Sequence, residues 1–329
     1  MKTRPIARRG ACAAALVGLA ACAAGCGLEH TIFGTPSRYL LTARDVLVLP
    51  DEQVTLWAGL ESGSFLRDTP GIPIRFRCEG RLNCVAVTDD EGHATAPFRP
   101  PAPGDYLVTV SVEPTALKES PPQPVTLLVA CRQADEPLAV VDLDKTLVAS
   151  GFKSVLWGDP RPMSRSMEVT RRLAKDRTIV YLTHRADFLG PKSKAWLHDF
   201  GYPRGPLLAA NISEVFEKSG SYKAAVLQGL RQRFCGPAIG IGDQVSDALA
   251  YERSGLEPIL LLNIPPNADA HEFRKLADSL QALPESAQVV TNWTEIERVL
   301  FGGQSRLSPA VQAELRRRAD ELDKHKKAG

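Results

Sequence analysis

Two aspartates, one residue apart, close a short apolar run. Residues 138–150 read Leu-Ala-Val-Val-Asp-Leu-Asp-Lys-Thr-Leu-Val-Ala-Ser, with Asp142 and Asp144 at the end of the run and Thr146 just beyond. A Val-rich run of this length reads as a strand buried on both faces. Carboxylates at its C-terminal end stand where open α/β sheets bind ligands. Closely set carboxylate oxygens suit a hard cation such as Mg²⁺, and an aspartate can also accept a phosphoryl group as a nucleophile. The plain alternative is a strand ending in solvated acids. Three features downstream speak against it. Thr183 directly follows the apolar run 179–182, Lys223 opens a helical stretch, and Gly242-Asp243-Gln244-Val245-Ser246-Asp247 follows the run 238–241. Lys218 is the rival lysine. Ser219 or Ser221 can cap the helix, which places Lys223 in its first turn and Lys218 outside it.

Such residues meet only if alternating strands and helices bring strand ends together. Residues 135–303 have that alternation: strands at 138–141, 178–182, 206–209, 238–241, 258–262 and 288–291, with helices at 168–175, 191–200, 222–234, 246–253, 269–282 and 294–301. This predicts a mostly parallel sheet with helices on both faces. Roughly 15–20 residues separate Thr146 from the next helix, too few for a large cap and consistent with an open site for a bulky substrate. Residues 38–132 differ: short β-patterned runs alternate with turn signals such as Pro70-Gly71, Asp89-Asp90-Glu91-Gly92 and Pro103-Gly104-Asp105, which argues a sandwich. Residues 304–329 form a C-terminal helix, with Val311, Leu315 and Leu322 at helical spacing, and a basic tail. The fold class is therefore multidomain: an N-terminal all-β sandwich followed by an α/β Rossmannoid domain with a minimal cap.

The ordered set Asp142-x-Asp144-x-Thr146, Thr183, Lys223 and Gly242-Asp243-x₃-Asp247 resembles the four motifs of the haloacid dehalogenase superfamily. That resemblance implies a phosphatase. Asp142 would attack phosphorus, and Asp144 would act as general acid and then general base. Mg²⁺ would be held by Asp142, Asp243 and the backbone carbonyl of Asp144, with Asp247 binding it through water or orienting Lys223. Thr183 and Lys223 would hold phosphate oxygens. The stretch Y-L-T-H-R-A-D-F-L-G-P-K-S-K-A-W-L, then G-Y-P-R-G-P-L-L and S-Y-K-A-A-V-L, resembles the lipin-type and fungal actin-patch phosphatidate phosphatases over about 138–264. It implies phosphatidate or another phospholipid as substrate, with Arg185 contacting phosphate; the alternative is a surface arginine paired with Asp187. Lys145 stands where those families usually have Gly, and His184 where they have a small residue. The run V-T-D-D-E-G-H-A-T-A, then P-G-D-Y-L-V-T-V, resembles bacterial immunoglobulin-like domains of adhesins, which implies a rigid stalk or a binding module. The competing function is a non-catalytic envelope lipoprotein that binds lipid or phosphate.

Residues 1–21 combine a basic start with a short apolar stretch, the pattern of an export signal. Leu19-Ala20-Ala21-Cys22 and Ala23-Ala24-Gly25-Cys26 resemble the lipobox of bacterial lipoproteins, implying lipidation at Cys22, or at Cys26, and a tether over 22–37. An ordinary cleaved signal is the alternative. Either way the mature chain is expected outside the cytoplasm, membrane-anchored in the lipoprotein case. There Cys78 and Cys84 are candidates for a disulfide closing Glu79-Gly80-Arg81-Leu82-Asn83, worth roughly 2–3 kcal/mol. Lys and Arg total 40 against 38 Asp and Glu, so no nucleic-acid partner is expected from bulk charge.

Overall fold

The structure is a computed structural model that describes residues 38–63, 66–117, 120–149, 160–211 and 213–328. The expected signal 1–21, the tether 22–37, and Cys22 and Cys26 lie outside the described residues, as does most of the short segment expected to replace a cap. The chain forms two compact units. Unit 1 comprises the chain through Gln133 together with His184–His198 and Gly205–Glu217; unit 2 comprises Ala134–Thr183, Asp199–Arg204 and Lys218 onward.

Unit 1 contains a β-sandwich. One antiparallel sheet has β1 (Tyr39–Ala43) on β3 (Val54–Ser62), with β4 (Arg67–Asp68) and β7 (His93–Phe98) also on β3. The other runs β2 (Val46–Val48), β9 (Val125–Cys131), β8 (Gly104–Val112), β5 (Pro73–Cys78), β6 (Leu82–Val87). Alternation along β5 and β8 turns Ile74, Phe76, Val108 and Val110 inward against Leu56 and Leu60 of the facing sheet.

Strand β6 corrects the cysteine expectation. Glu79-Gly80-Arg81 is a tight hairpin turn, with Gly80 at φ 65° and the Arg81 N–H donating to the Cys78 carbonyl at 3.0 Å. Register sets Cys78 opposite Leu82 and Cys84 opposite Phe76. The two cysteines are therefore diagonal neighbours, with Cα atoms ~7–8 Å apart, wider than the roughly 4.4–6.8 Å of a disulfide. Both are free thiols, and backbone pairing rather than a bridge closes the loop.

The α/β region is built on β10 (Leu138–Val141), β11 (Thr178–Ala186), β12 (Leu207–Ala210), β13 (Ala238–Gly242), β14 (Glu257–Leu261) and β15 (Gln288–Val290). Their order is β12-β11-β10-β13-β14-β15, and β10/β11, β10/β13, β13/β14 and β14/β15 all pair parallel. The helices are α1 (Ser166–Leu173), α2 (Gly190–Asp199), α3 (Ser219–Arg231), α4 (Val245–Arg253), α5 (Ala270–Ser279), α6 (Trp293–Phe301) and α7 (Ser308–Ala328). The chain winds outward from β10 in one direction, then returns to β13 and winds outward in the other. The crevice between the C-terminal ends of β10 and β13 is thus the switch point where such sheets bind ligands. Helix α7 packs Val311, Leu315 and Ala319 against Phe273, Ala277 and Leu280. Leu322 instead remains exposed. Among the described residues no helix is long and apolar enough to cross a membrane.

Within unit 1, Asp45 is a buried anchor. Its Oδ1 accepts from the Leu128 N–H at 2.7 Å and from Lys194 Nζ at 2.6 Å, and its Oδ2 from the Leu207 N–H at 2.9 Å. Next to it in sequence, Arg44 donates to Asp187 Oδ2 at 2.6 Å and lies over the Trp57 ring. Glu61, mostly buried, has an Oε2 with no hydrogen-bond partner among the described residues. Burial, then the neighbouring Asp187 and Asp68 carboxylates, pushes its pKa up to about 8.

Candidate active site

Strand β10 is four consecutive buried aliphatic residues, Leu138–Val141, and delivers Asp142 to the switch point. The Asp142 N–H still donates to the Ile241 carbonyl of β13 at 2.9 Å, which pins it beside Gly242 and Asp243. Asp142 is almost fully buried. Its Oδ1 accepts from Lys223 Nζ at 2.8 Å and its Oδ2 from Thr146 Oγ1 at 3.3 Å. The same ammonium lies 2.9 Å from Asp247 Oδ1. Thr146 is held in turn by Trp293 at the start of α6, whose Nε1–H donates to its carbonyl at 2.8 Å.

The carboxylates of Asp142, Asp243 and Asp247 offer oxygens all within 4.8 Å of one another. Asp247 is fully buried, and its Oδ2 has no hydrogen-bond partner among the described residues. Its approach depends on Gly242: a Cβ there would meet Asp247 Oδ2 at 2.8 Å. Two of the three acids, Asp142 and Asp247, share one buried ammonium. Burial, above all, pushes the Asp142 pKa up to about 7; Lys223 opposes the shift, and Asp247 and Asp243 add to it. Asp243 is raised to about 6, again chiefly by burial, with the Gln244 amide pulling it down. Burial works against the Lys223 ammonium, but Asp142 and Asp247 outweigh it and raise its pKa. An all-oxygen donor set with surplus negative charge and an orphaned buried carboxylate oxygen fits a hard divalent cation such as Mg²⁺.

The sequence-derived residues fall as follows. Asp142, Lys223, Asp243 and Asp247 come together. Asp144, half-buried, follows in the same loop and bridges to Val148; its side chain is not part of the three-acid cluster. The contact of Asp247 with Lys223 is direct. Thr183 lies inside β11, not after it, because the strand runs on through buried Arg185 to Ala186. Arg185 is buried and donates to Ser193 Oγ at 3.0 Å, while Asp187 accepts from Arg44. Lys223 is the site lysine for a different reason than capping. Lys218 is itself the cap residue, exposed, and Ser219 opens α3, so Lys223 lies one turn in. Two polar residues were missed: Gln244 Nε2 donates to Asp243 Oδ2 at 2.6 Å, and Asn263 Nδ2 reaches the Lys145 carbonyl at 3.4 Å and Asp243 Oδ2 at 3.5 Å. A search for polar residues just beyond every strand end would have found Asn263 behind β14.

The family model "PITM 1-3, LNS2 domain" matches residues 139–261, less than half of the chain. That model describes a lipin-related, haloacid dehalogenase-like domain, to which this region is similar. No curated protein matches the chain. Among solved structures, the D00-D0 domain of intimin is 17% identical over 30% of this chain and 48% of its own length, with a TM-score of 0.23. The D0-D1 domain of intimin is 18% identical over 31% and 58%, TM-score 0.23. A CARDB domain from Pyrococcus furiosus, solved in complex with di-metal ions, is 14% identical over 29% and 85%, TM-score 0.21. The chain thus spans about half the length of the intimin fragments it matches.

Proposed function

We propose that the α/β region is a haloacid dehalogenase-like, Mg²⁺-dependent phosphomonoester hydrolase that works through an aspartyl-phosphate. The observation that carries this is the meeting of Asp142, Asp243 and Asp247 around one buried lysine at the switch point of the sheet. Asp142 attacks phosphorus through a carboxylate oxygen, and the bond from phosphorus to the leaving oxygen breaks. Asp144, two residues on and less buried, gives its proton to that oxygen. Asp144 then takes a proton from water as the water attacks phosphorus; the aspartyl–phosphate bond breaks and inorganic phosphate leaves. Lys223 favours the ionised form of Asp142 against burial and aligns it; with Thr183 it holds phosphate oxygens. Mg²⁺, held by Asp142, Asp243, Asp247 and the Asp144 carbonyl, would offset the negative charge of the phosphoryl group.

A phospholipid monoester such as phosphatidate is the proposed substrate, supported by the lipin-type run through 181–226 and by the matched model. Arg185 is proposed as a further phosphate contact. A lipid anchor at Cys22 or Cys26 would hold the protein to a bacterial membrane outside the cytoplasm, with the sandwich as a stalk. The test is phosphate release from lipid, sugar and aryl phosphomonoesters with Mg²⁺ and with a chelator. Chelator-sensitive release is expected. No release from any of them overturns the enzyme and leaves a binding module.

A further inference from the structure

Directly after Asp144 the backbone does something that few side chains tolerate. Lys145 has φ 55°, in the left-handed region where glycine is at ease and a lysine is strained. The turn is firmly made: the N–H groups of Thr146, Leu147 and Val148 all point at the Leu143 carbonyl, at 3.3, 2.9 and 2.9 Å, and Asn263 donates to the Lys145 carbonyl. The conformation is thus imposed by the loop that carries the two aspartates, and glycine would fill it without cost. The lysine side chain is exposed, and its ammonium makes no hydrogen bond or ion pair among the described residues. The same Asn263 amide also reaches Asp243 Oδ2 at 3.5 Å, which sets the Lys145 backbone beside the carboxylate cluster. Lys223, the other cation, is already committed to Asp142 and Asp247.

We propose that Lys145 is a substrate-binding residue for negative charge, whose exposed ammonium beside the carboxylate cluster receives the phosphate dianion of the incoming phosphomonoester. This rests on the phosphatase reading and names the group that attracts an anionic substrate to a site lined by three carboxylates. A strained cation with no ion-pair partner among the described residues, beside three carboxylates that would repel that substrate, offsets the repulsion.

The test uses the full chain and its Lys145→Gly, Lys145→Arg and Lys145→Glu variants, with 4-nitrophenyl phosphate as substrate in low and high salt. Lys145→Gly is expected to raise KM about fivefold at low salt, with a smaller change in kcat and a smaller difference at high salt. Lys145→Arg should restore KM, and Lys145→Glu should raise it further. A second measurement does not depend on turnover: the rise in melting temperature that inorganic phosphate causes in the presence of Mg²⁺. That rise should shrink in Lys145→Gly although the variant alone melts higher, so weaker binding cannot be ascribed to a damaged fold. Equal KM and equal salt dependence in wild type and Lys145→Gly would overturn the proposal. If wild type shows no turnover, the phosphatase reading fails, and the phosphate-induced shift decides alone. A shift reduced in Lys145→Gly upholds the anion site; an unchanged shift, or none in wild type, removes it.

Discussion

Asp45 in unit 1 and Asp247 in unit 2 are both buried aspartates with a lysine close by, and they differ in what they leave undone. Asp45 receives two backbone N–H groups and the Lys194 ammonium, so both of its oxygens are supplied. Asp247 is more deeply buried, yet it has only a shared ion pair on Oδ1, and its Oδ2 has no hydrogen-bond partner among the described residues. Burying a carboxylate is costly unless donors replace water. The first aspartate meets that requirement within the fold and acts as an anchor. The second does not, and its unmet capacity is what a cation would fill.

The largest effect that tests this contrast is on activity. Asp142→Asn should cut phosphate release by about 10⁴-fold or more, and Asp144→Asn by ~10²–10⁴-fold, less with good leaving groups. Both proteins should give wild-type circular dichroism. Near-wild-type rates in Asp142→Asn would remove the functional half of the comparison. Stability is the next test, with one matched substitution in each unit. Asp45→Asn turns a donor toward groups that already donate and should cost about 3 kcal/mol in urea denaturation. Asp247→Asn relieves crowding among three acids and should cost less than about 1 kcal/mol or stabilise, while activity falls. Equal losses from the two changes would erase the distinction.

Glu61 sharpens it from within unit 1, as a half-buried acid with an oxygen that has no hydrogen-bond partner among the described residues. Its pKa is raised to about 8 in the folded chain from an ordinary 4.5. Its contribution to stability is therefore fully present below about pH 4.5 and is lost as pH rises through 8. Glu61→Gln should flatten that decline, on the order of a few kcal/mol, in a series of denaturation curves. The smallest effect belongs to Lys145→Gly, which should gain about 1 kcal/mol by relieving the left-handed strain, seen as a small rise in melting temperature.

Much of this was legible in the sequence because it is local. Strand β10 announces itself by its aliphatic run and its abrupt acids, and the alternation beyond it predicts the parallel sheet that brings Asp142 and Asp243 together. Errors arose where local signals competed. The pair Cys78 and Cys84 suggested a covalent loop, whereas Gly80 between them was the better clue, to a hairpin. The end of β11 was placed four residues early because His184 and Arg185 look like loop residues until their burial is known. Isolated polar residues such as Gln244 and Asn263 carry no periodicity, so only geometry connects them with Asp243. The assembly of unit 1 from three stretches of chain left no trace at all, since Asp45 and Leu207 are 162 positions apart.

That separation has a consequence for how the chain is made. At about 5–20 residues per second, a ribosome adds Leu207 roughly 8–30 s after Asp45. Throughout that interval the strands of the sandwich can pair, yet the carboxylate meant for its interior lacks Lys194 and the Leu207 N–H and must stay hydrated. The amino-terminal module therefore reaches its final form only after the α/β sequence has been synthesised as far as Leu207. Cutting the gene at the composition boundary near residue 134 would yield a sandwich arrested at that earlier stage.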